Sequence, residues 1–234
     1  MNISHSSTNV GCFGGQTGSI TISVSGGTGS YNFSWTGPNG FSSSNQNISN
    51  LFAGTYSVIV SDANNCTEVA TVVISEPSQI QATSNVTNIS CFNGSNGSID
   101  ITTSGGTGGY TFAWTGPNGY TNSSEDILSL VYGTYNLTIL DNANCQSNFQ
   151  FFVSQPTLLT ASINILNPIA CNGGAAVIEV VASGGTPNYI GTGPVSGLTA
   201  GTHTYTITDG NNCTASASIT LTEPDALVVS TSQT

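Results

Sequence analysis

Lysine and arginine are both missing from the 234 residues, and against them stand 11 acidic side chains, for a formal net charge of −11. Nucleic-acid affinity comes mainly from cationic side chains that displace counterions from phosphates, so DNA and RNA are excluded as partners. Anionic membrane surfaces are excluded for the same reason. Side-chain ion pairs have only His5, His203 and the α-amino group to draw on, and trypsin-type proteases find no cleavage site. Long apolar runs are also missing: nowhere do eighteen apolar residues follow one another, so no membrane-spanning helix and no direct membrane insertion are expected. The opening MNISHSSTNV has neither the basic nor the apolar segment of a secretory signal, so an exported chain of this kind is expected to be part of something longer.

What the chain has is repetition. Ile48 to Cys66, ISNLFAGTYSVIVSDANNC, returns almost unchanged from Ile127 to Cys145 and more loosely from Leu198 to Cys213. The leading cysteines Cys12, Cys91 and Cys171 are 79 and 80 residues apart, and Pro77, Pro156 and Pro224 close the three copies. Such a period is too long for a solenoid coil and suits a small domain. The expected units are 1–77, 78–156 and 157–224, with 225–234 as the first strand of a following repeat, because DALVVSTSQT matches the residues after Pro77 and Pro156. Domains near 80 residues bury a marginal core, so a further source of stability is expected.

Within the first unit the apolar residues alternate, as half-buried strands require. Ile20, Ile22 and Val24 share one face of Ser19–Ser25, Tyr31 to Trp35 alternates with its aromatic residues on one side, and Thr55 to Ser61 and Glu68 to Ser75 continue the pattern. GGTGS and TGPNG supply turns, Asn39-Gly40 being suited to positive φ. About seven strands at 8–12-residue spacing give an all-β chain, a tandem array of three immunoglobulin-like β-sandwiches of about 80 residues. Trp35 and Trp114 fall on the third strand, and Leu-x-x-Gly-Thr-Tyr at Leu51–Tyr56 and Leu130–Tyr135 resembles the tyrosine corner of such sandwiches. The third repeat is shortened. His203 stands where Tyr56 does, and 14 residues rather than 25 separate its glycine turn from its Leu-x-x-Gly, so the W-T-G-P-N-G hairpin is lost and this unit should be the least stable.

The run C-F-G-G-x-x-G-S-I, followed by S-G-G-T-G-x-Y-x-F-x-W, L-x-x-G-T-Y, D-A-N-N-C and I-S-E-P, resembles the SprB-type repeat of gliding-motility surface adhesins in Bacteroidetes. The resemblance covers repeats one and two and, with the gap described, repeat three. It implies an extracellular, cell-surface, tandem β-sandwich protein exported by type IX secretion and acting in adhesion or gliding, and it implies no catalytic residues.

The residues themselves give an enzyme little to work with. The two histidines lie in unrelated places, no serine sits in a G-x-S-x-G elbow, and no cation is available for an oxyanion. No cofactor or metal is expected. Asp62, Asp141 and Asp209, which open the D-x-x-N-C turns, have a spacing that suits Ca²⁺, but an Asx-turn accounts for it as well. Glu76 and Glu223 precede linker prolines where repeat two has Gln155, which weakens a metal at the linkers, and Glu125 and Asp126 find no counterpart elsewhere. Phe41 and Tyr120 follow the TGPNG turns and are candidate aromatics for stacking on sugars, with packing over the sandwich edge as the simpler role.

Two cysteines per repeat point to disulfides made in an oxidising compartment. Adjacency in sequence pairs Cys12 with Cys66, Cys91 with Cys145 and Cys171 with Cys213. Immunoglobulin-like topology instead puts the two cysteines of one unit at opposite poles, about 20 Å apart, whereas bonded Cα atoms lie within about 7 Å. In a head-to-tail array Cys12–Cys145 and Cys91–Cys213 become feasible, leaving Cys66 and Cys171 for outside neighbours. Both pairings stay open at this level. The function expected is a non-enzymatic stalk or fibre segment of a surface adhesin, whose partners are neighbouring repeats and other copies in a fibre. The alternative is a module that binds surface glycans.

Overall fold

A computed structural model describes residues 1–230. Repeat one is a sandwich of two antiparallel sheets. The first sheet contains β1 (Asn2–Thr8), β2 (Gly18–Ser25) and β5 (Ile48–Leu51), in the order β1-β2-β5. The second contains β3 (Asn32–Thr36), β4 (Ser42–Ser43), β6 (Gly54–Ser61) and β7 (Thr67–Ile74), in the order β4-β3-β6-β7. Repeat two reproduces this plan. Its three-stranded sheet has β8 (Gln81–Thr87), β9 (Gly97–Ser104) and β12 (Ile127–Leu130), and its four-stranded sheet has β10 (Thr111–Thr115), β11 (Thr121–Asn122), β13 (Gly133–Leu140) and β14 (Gln146–Val153).

The alternation read from the sequence becomes the inward face. Ile20 and Ile22 from β2 meet Trp35, Tyr56, Val58 and Val60 from the opposite sheet, all buried, while Ser19, Thr21 and Ser23 lie on the other face. Both tryptophans sit at the centre of their cores, and each indole N–H finds a carbonyl: Trp35 donates to Asn45 at 2.9 Å and Trp114 to Ser124 at 3.0 Å. A buried polar tip satisfied in this way lets the large ring add its area to the core without a desolvation penalty.

The corner before the sixth strand is also formed. The Tyr56 hydroxyl donates to the Phe52 carbonyl at 3.1 Å and the Tyr135 hydroxyl to that of Val131 at 3.0 Å. The glycine two residues before each tyrosine is dictated by contact as well as by backbone. Gly54 has φ 145°, and a Cβ there would come within 2.3 Å of Cγ of Pro38, which belongs to the TGPNG turn. In that turn Asn39 and Gly40 adopt φ 56° and 75°.

Repeat three keeps five strands: β15 (Thr160–Asn167), β16 (Ala176–Ser183) and β17 (Gly193–Leu198) in one sheet, β18 (Gly201–Thr208) and β19 (Thr214–Leu221) in the other. Its third strand is reduced to one bridge between Ile190 and Thr208, and Ile190 lies 73% exposed. The expected first strand of a further repeat lies partly outside the described residues. Within them, 225–230 pair with nothing and Leu227 is 98% exposed, since a lone strand has no sheet to join. Among the described residues no helix is long and apolar enough to cross a membrane.

Candidate functional site

The features that recur three times gather at the two poles of each sandwich. At one pole the loop before the second strand carries the first cysteine. This loop is tied to the end of the last strand: the Val10 N–H donates to Ser75, and Ser75 in turn donates to Oδ1 of Asn9 at 3.0 Å. Glu76 completes the clamp, its Oε2 accepting the Gly14 N–H at 2.6 Å, and Glu223 does the same for Gly173. In repeat two the Asn93 N–H donates to Oε1 of Gln155 at 2.8 Å. An exchange of Glu for Gln keeps the acceptor and discards the charge, as a loop anchor permits and an electrostatic ligand would not.

At the opposite pole the Asp-x-x-Asn-Cys turn joins the last two strands, and its aspartate is buried in all three repeats. One carboxylate oxygen of Asp62 accepts N–H bonds from Asn64 and Cys66 at 2.9 Å each, closing the turn. The other accepts the Thr28 N–H at 3.0 Å, tying the turn to the glycine loop between the second and third strands. Asp141 and Asp209 make the same three bonds, reaching across to Thr107 and Thr186.

These donors set the charge state. The N–H groups of Cys66 and Thr28 hold the Asp62 carboxyl below its ordinary value, and that of Thr186 leads the same effect at Asp209. At Asp141 burial pushes upward, but the bonds from Thr107, Cys145 and Ala143 outweigh it and the carboxyl is lowered too. The three aspartates proposed for Ca²⁺ therefore point their oxygens at backbone N–H groups. Among the described residues no three His, Cys, Asp or Glu side chains converge on one point.

The two poles meet at the junctions between repeats, where the cysteines pair. Cys12 of repeat one is bonded to Cys145 of repeat two, with Cα atoms 5.5 Å apart, and Cys91 of repeat two to Cys213 of repeat three at 5.7 Å. The pairing of nearest cysteines within one repeat is thus ruled out, and Cys66 and Cys171 remain as free, exposed thiols. At the first junction the bridge lies beside a crevice of about 130 Å³ lined by Phe13, the linker Pro77–Ile80, Gly106 and Gln146. The linker then feeds Ile80 into the core of repeat two, as Leu159 enters that of repeat three. The second junction adds a hydrogen bond from Nδ2 of Asn211 to the Ser90 carbonyl at 3.0 Å.

The contacts bear on two further readings. Phe41 and Tyr120 pack edge-on against the corner tyrosines Tyr56 and Tyr135, with ring centroids 5.3 and 5.4 Å apart, so each ring already serves its own sandwich. Asp126 does have a counterpart. Its Oδ1 accepts the Ile101 N–H at 2.9 Å just as Oδ1 of Asn47 accepts that of Ile22 at 3.1 Å. The letter changes between repeats and the acceptor stays.

Comparison with known proteins adds a family. No curated protein matches the chain. Solved structures that resemble it include one described as the structural basis for Dscam isoform specificity, 12% identical over 90% of this chain and 70% of the other with a TM-score of 0.29. Another contains the four N-terminal immunoglobulin domains of Dscam1 isoform 6.44, 14% identical over 95% and 73% with a TM-score of 0.27. A third is a complex of Dpr2 Ig1-Ig2 with DIP-Theta Ig1-Ig3, 10% identical over 92% and 95% with a TM-score of 0.29. At sequence level the SprB repeat family matches two segments, each running from the first strand of a sandwich to its Gly-Pro-Asn-Gly turn. The SprB repeat model matches residues 4–40 and 83–119.

Proposed function

We propose that this chain is a non-enzymatic stalk segment of a secreted cell-surface adhesin. The observation that carries the reading is the pair of disulfides between repeats, one at each junction, which ties neighbouring sandwiches covalently without using any bond inside a sandwich. Disulfides persist outside the cytoplasm, in keeping with an extracellular location. The coat of Ser, Thr and Asn and the absence of Lys and Arg suit a spacer that must stay soluble and escape trypsin-type proteases. Gliding and export by type IX secretion belong to the same reading. An antibody raised against the chain should label intact cells of the source organism, and deleting the coding segment should lower their attachment to surfaces. Labelling that appears only after permeabilisation would remove the proposal.

The alternative, a glycan-binding module, draws on matching shallow clefts beside Tyr120 and Phe41 in repeats two and one. Binding on a glycan array that disappears in a Phe41→Ala, Tyr120→Ala variant would favour it.

A further inference from the structure

Strand pairing decides which side chains share the outer face of the second sheet in each sandwich. In repeat two Thr134 stands opposite Phe152, Asn136 opposite Gln150 and Thr138 opposite Asn148. Tyr132, in the corner just before β13, packs edge-on against Phe152 with ring centroids 5.4 Å apart and ring planes at 80°. Two rings set nearly at right angles make a corner, and neither is covered: Tyr132 is 50% exposed and Phe152 52%.

The sandwich does not call for these rings. In repeat one the same two positions hold Ala53 and Val73, and in repeat three Ala200 and Thr220, yet both repeats form the corner and the last pair of strands. Beside the rings the face is polar and uncharged. Nε2–H of Gln150 donates to Oδ1 of Asn136 at 2.9 Å, and the Thr138 hydroxyl donates to Oδ1 of Asn148 at 2.9 Å. These bonds fix the amide planes, and each of the three exposed amides keeps further donor and acceptor capacity.

We propose that this face of repeat two binds a neutral polysaccharide, with one sugar ring seated in the corner of Tyr132 and Phe152 and its neighbours hydrogen-bonded by Asn136, Gln150 and Asn148. A sugar ring has an apolar C–H face and a rim of hydroxyls. The negative face of an aromatic ring attracts the C–H groups, and the amides offer both donors and acceptors to the hydroxyls. Charge selects the class of polymer. The chain has no lysine or arginine to pair with a carboxylate or sulfate, and its net charge of −11 repels an acidic glycan. From Phe152 to Asn148 the face runs about 13 Å along β14, which suits a stretch of polymer better than a single sugar. Amides already held by one another lose little freedom on binding, which lowers its cost. The cleft beside Tyr120 is lined by neither ring, so this is a different surface, and it does not depend on the chain being a stalk.

The test is native gel electrophoresis of the full chain with a soluble polysaccharide cast into the gel, the chain's own negative charge carrying it toward the anode. Hydroxyethyl cellulose, galactomannan and dextran serve as neutral probes and alginate as the acidic one. Retardation by at least one neutral probe and none by alginate is expected. Tyr132→Ala with Phe152→Val installs the side chains that repeat one already carries, so its circular dichroism should match the wild type while binding weakens about tenfold or more. Asn136→Ala with Gln150→Ala should weaken it about threefold to tenfold. No retardation by any neutral probe, equal retardation by alginate, or undiminished retardation of the Tyr132→Ala, Phe152→Val variant would each overturn the proposal. If that variant were still retarded and the Phe41→Ala, Tyr120→Ala variant were not, the sugar site would move to the clefts beside those two rings.

Discussion

Repeats one and two differ from repeat three by one hairpin, and the consequences spread well beyond it. The full repeats bury eleven and twelve apolar residues around a tryptophan, while repeat three buries seven and has no tryptophan. The corner survives in altered form: Nε2–H of His203 donates to the Thr199 carbonyl at 2.8 Å, four residues back, as the tyrosine hydroxyls do. Gly201 keeps the unusual backbone of Gly54, with φ 137°, yet an added Cβ there would meet nothing, because the proline that crowds Gly54 went with the hairpin. By contrast, the Glu or Gln anchor of the cysteine loop and the three N–H bonds to the turn aspartate are present in all three repeats, although Pro168 replaces the Asn9 and Asn88 that clamp the loop in the full repeats.

That contrast can be broken by measurement. Because repeat three has no tryptophan, fluorescence reports only repeats one and two, while far-ultraviolet circular dichroism reports all three. The largest effect is expected from Trp114→Ala, which opens a cavity in a full core and should cost about 3–5 kcal/mol, seen as an early circular-dichroism transition in urea while the fluorescence of Trp35 in repeat one stays unchanged. Next, Cys91→Ser with Cys213→Ser should cost about 2–4 kcal/mol and fall mainly on repeat three, so the dichroism transition should precede that of fluorescence. If repeat three then unfolded together with the others, its smaller core would not be the deciding difference.

Gly54→Ala and Gly201→Ala should separate backbone strain from crowding. Strain costs about 1–3 kcal/mol at either position, and overpacking against Pro38 adds about 1–3 kcal/mol at Gly54 alone. Equal effects would mean that the lost hairpin leaves no trace at the corner. A smaller loss, about 1 kcal/mol, is expected for Tyr56→Phe, which gives up one hydrogen bond while keeping the ring.

Acid should touch all three repeats alike. Asp62, Asp141 and Asp209 are held below the ordinary value of 3.8, so their stabilisation is complete above that pH and is lost as pH falls through the lower folded values. Both spectroscopic probes should show stability level from neutral pH down to about 4 and falling below it. The Asp209→Asn variant should flatten that fall in the dichroism signal only.

Most of the fold was legible because alternation of apolar residues has one outcome in a strand: Ile20 and Ile22 must face the same way, and Trp35 had nowhere to go but the core. The corner glycine and tyrosine could be found by spacing alone. The disulfide partners could not be fixed, because they depend on how one repeat sits against the next, a relation no local pattern encodes; the opposite-pole argument set the pairing between repeats beside that of sequence neighbours. The anchors Glu76, Gln155 and Glu223, and the pair Asn47 and Asp126, went unread because residues were compared by charge. What each position keeps is an sp² oxygen facing a backbone N–H.

The bridges are staggered, and this fixes how far the molecule can ever be drawn out. Cys12 and Cys213 are 201 residues apart along the backbone, a span of about 700 Å when fully extended. Through the two bridges, the covalent route runs from Cys12 to Cys145, back along the chain to Cys91, and across to Cys213. That route contains only 54 residues of backbone, about 200 Å in all. Even with every sheet torn apart, the stretch from Cys12 to Cys213 would come taut at under a third of its contour length. The remaining backbone would hang slack beside the short path, free to refold once the tension dropped. Reductant, rather than tension, sets the point at which it gives way.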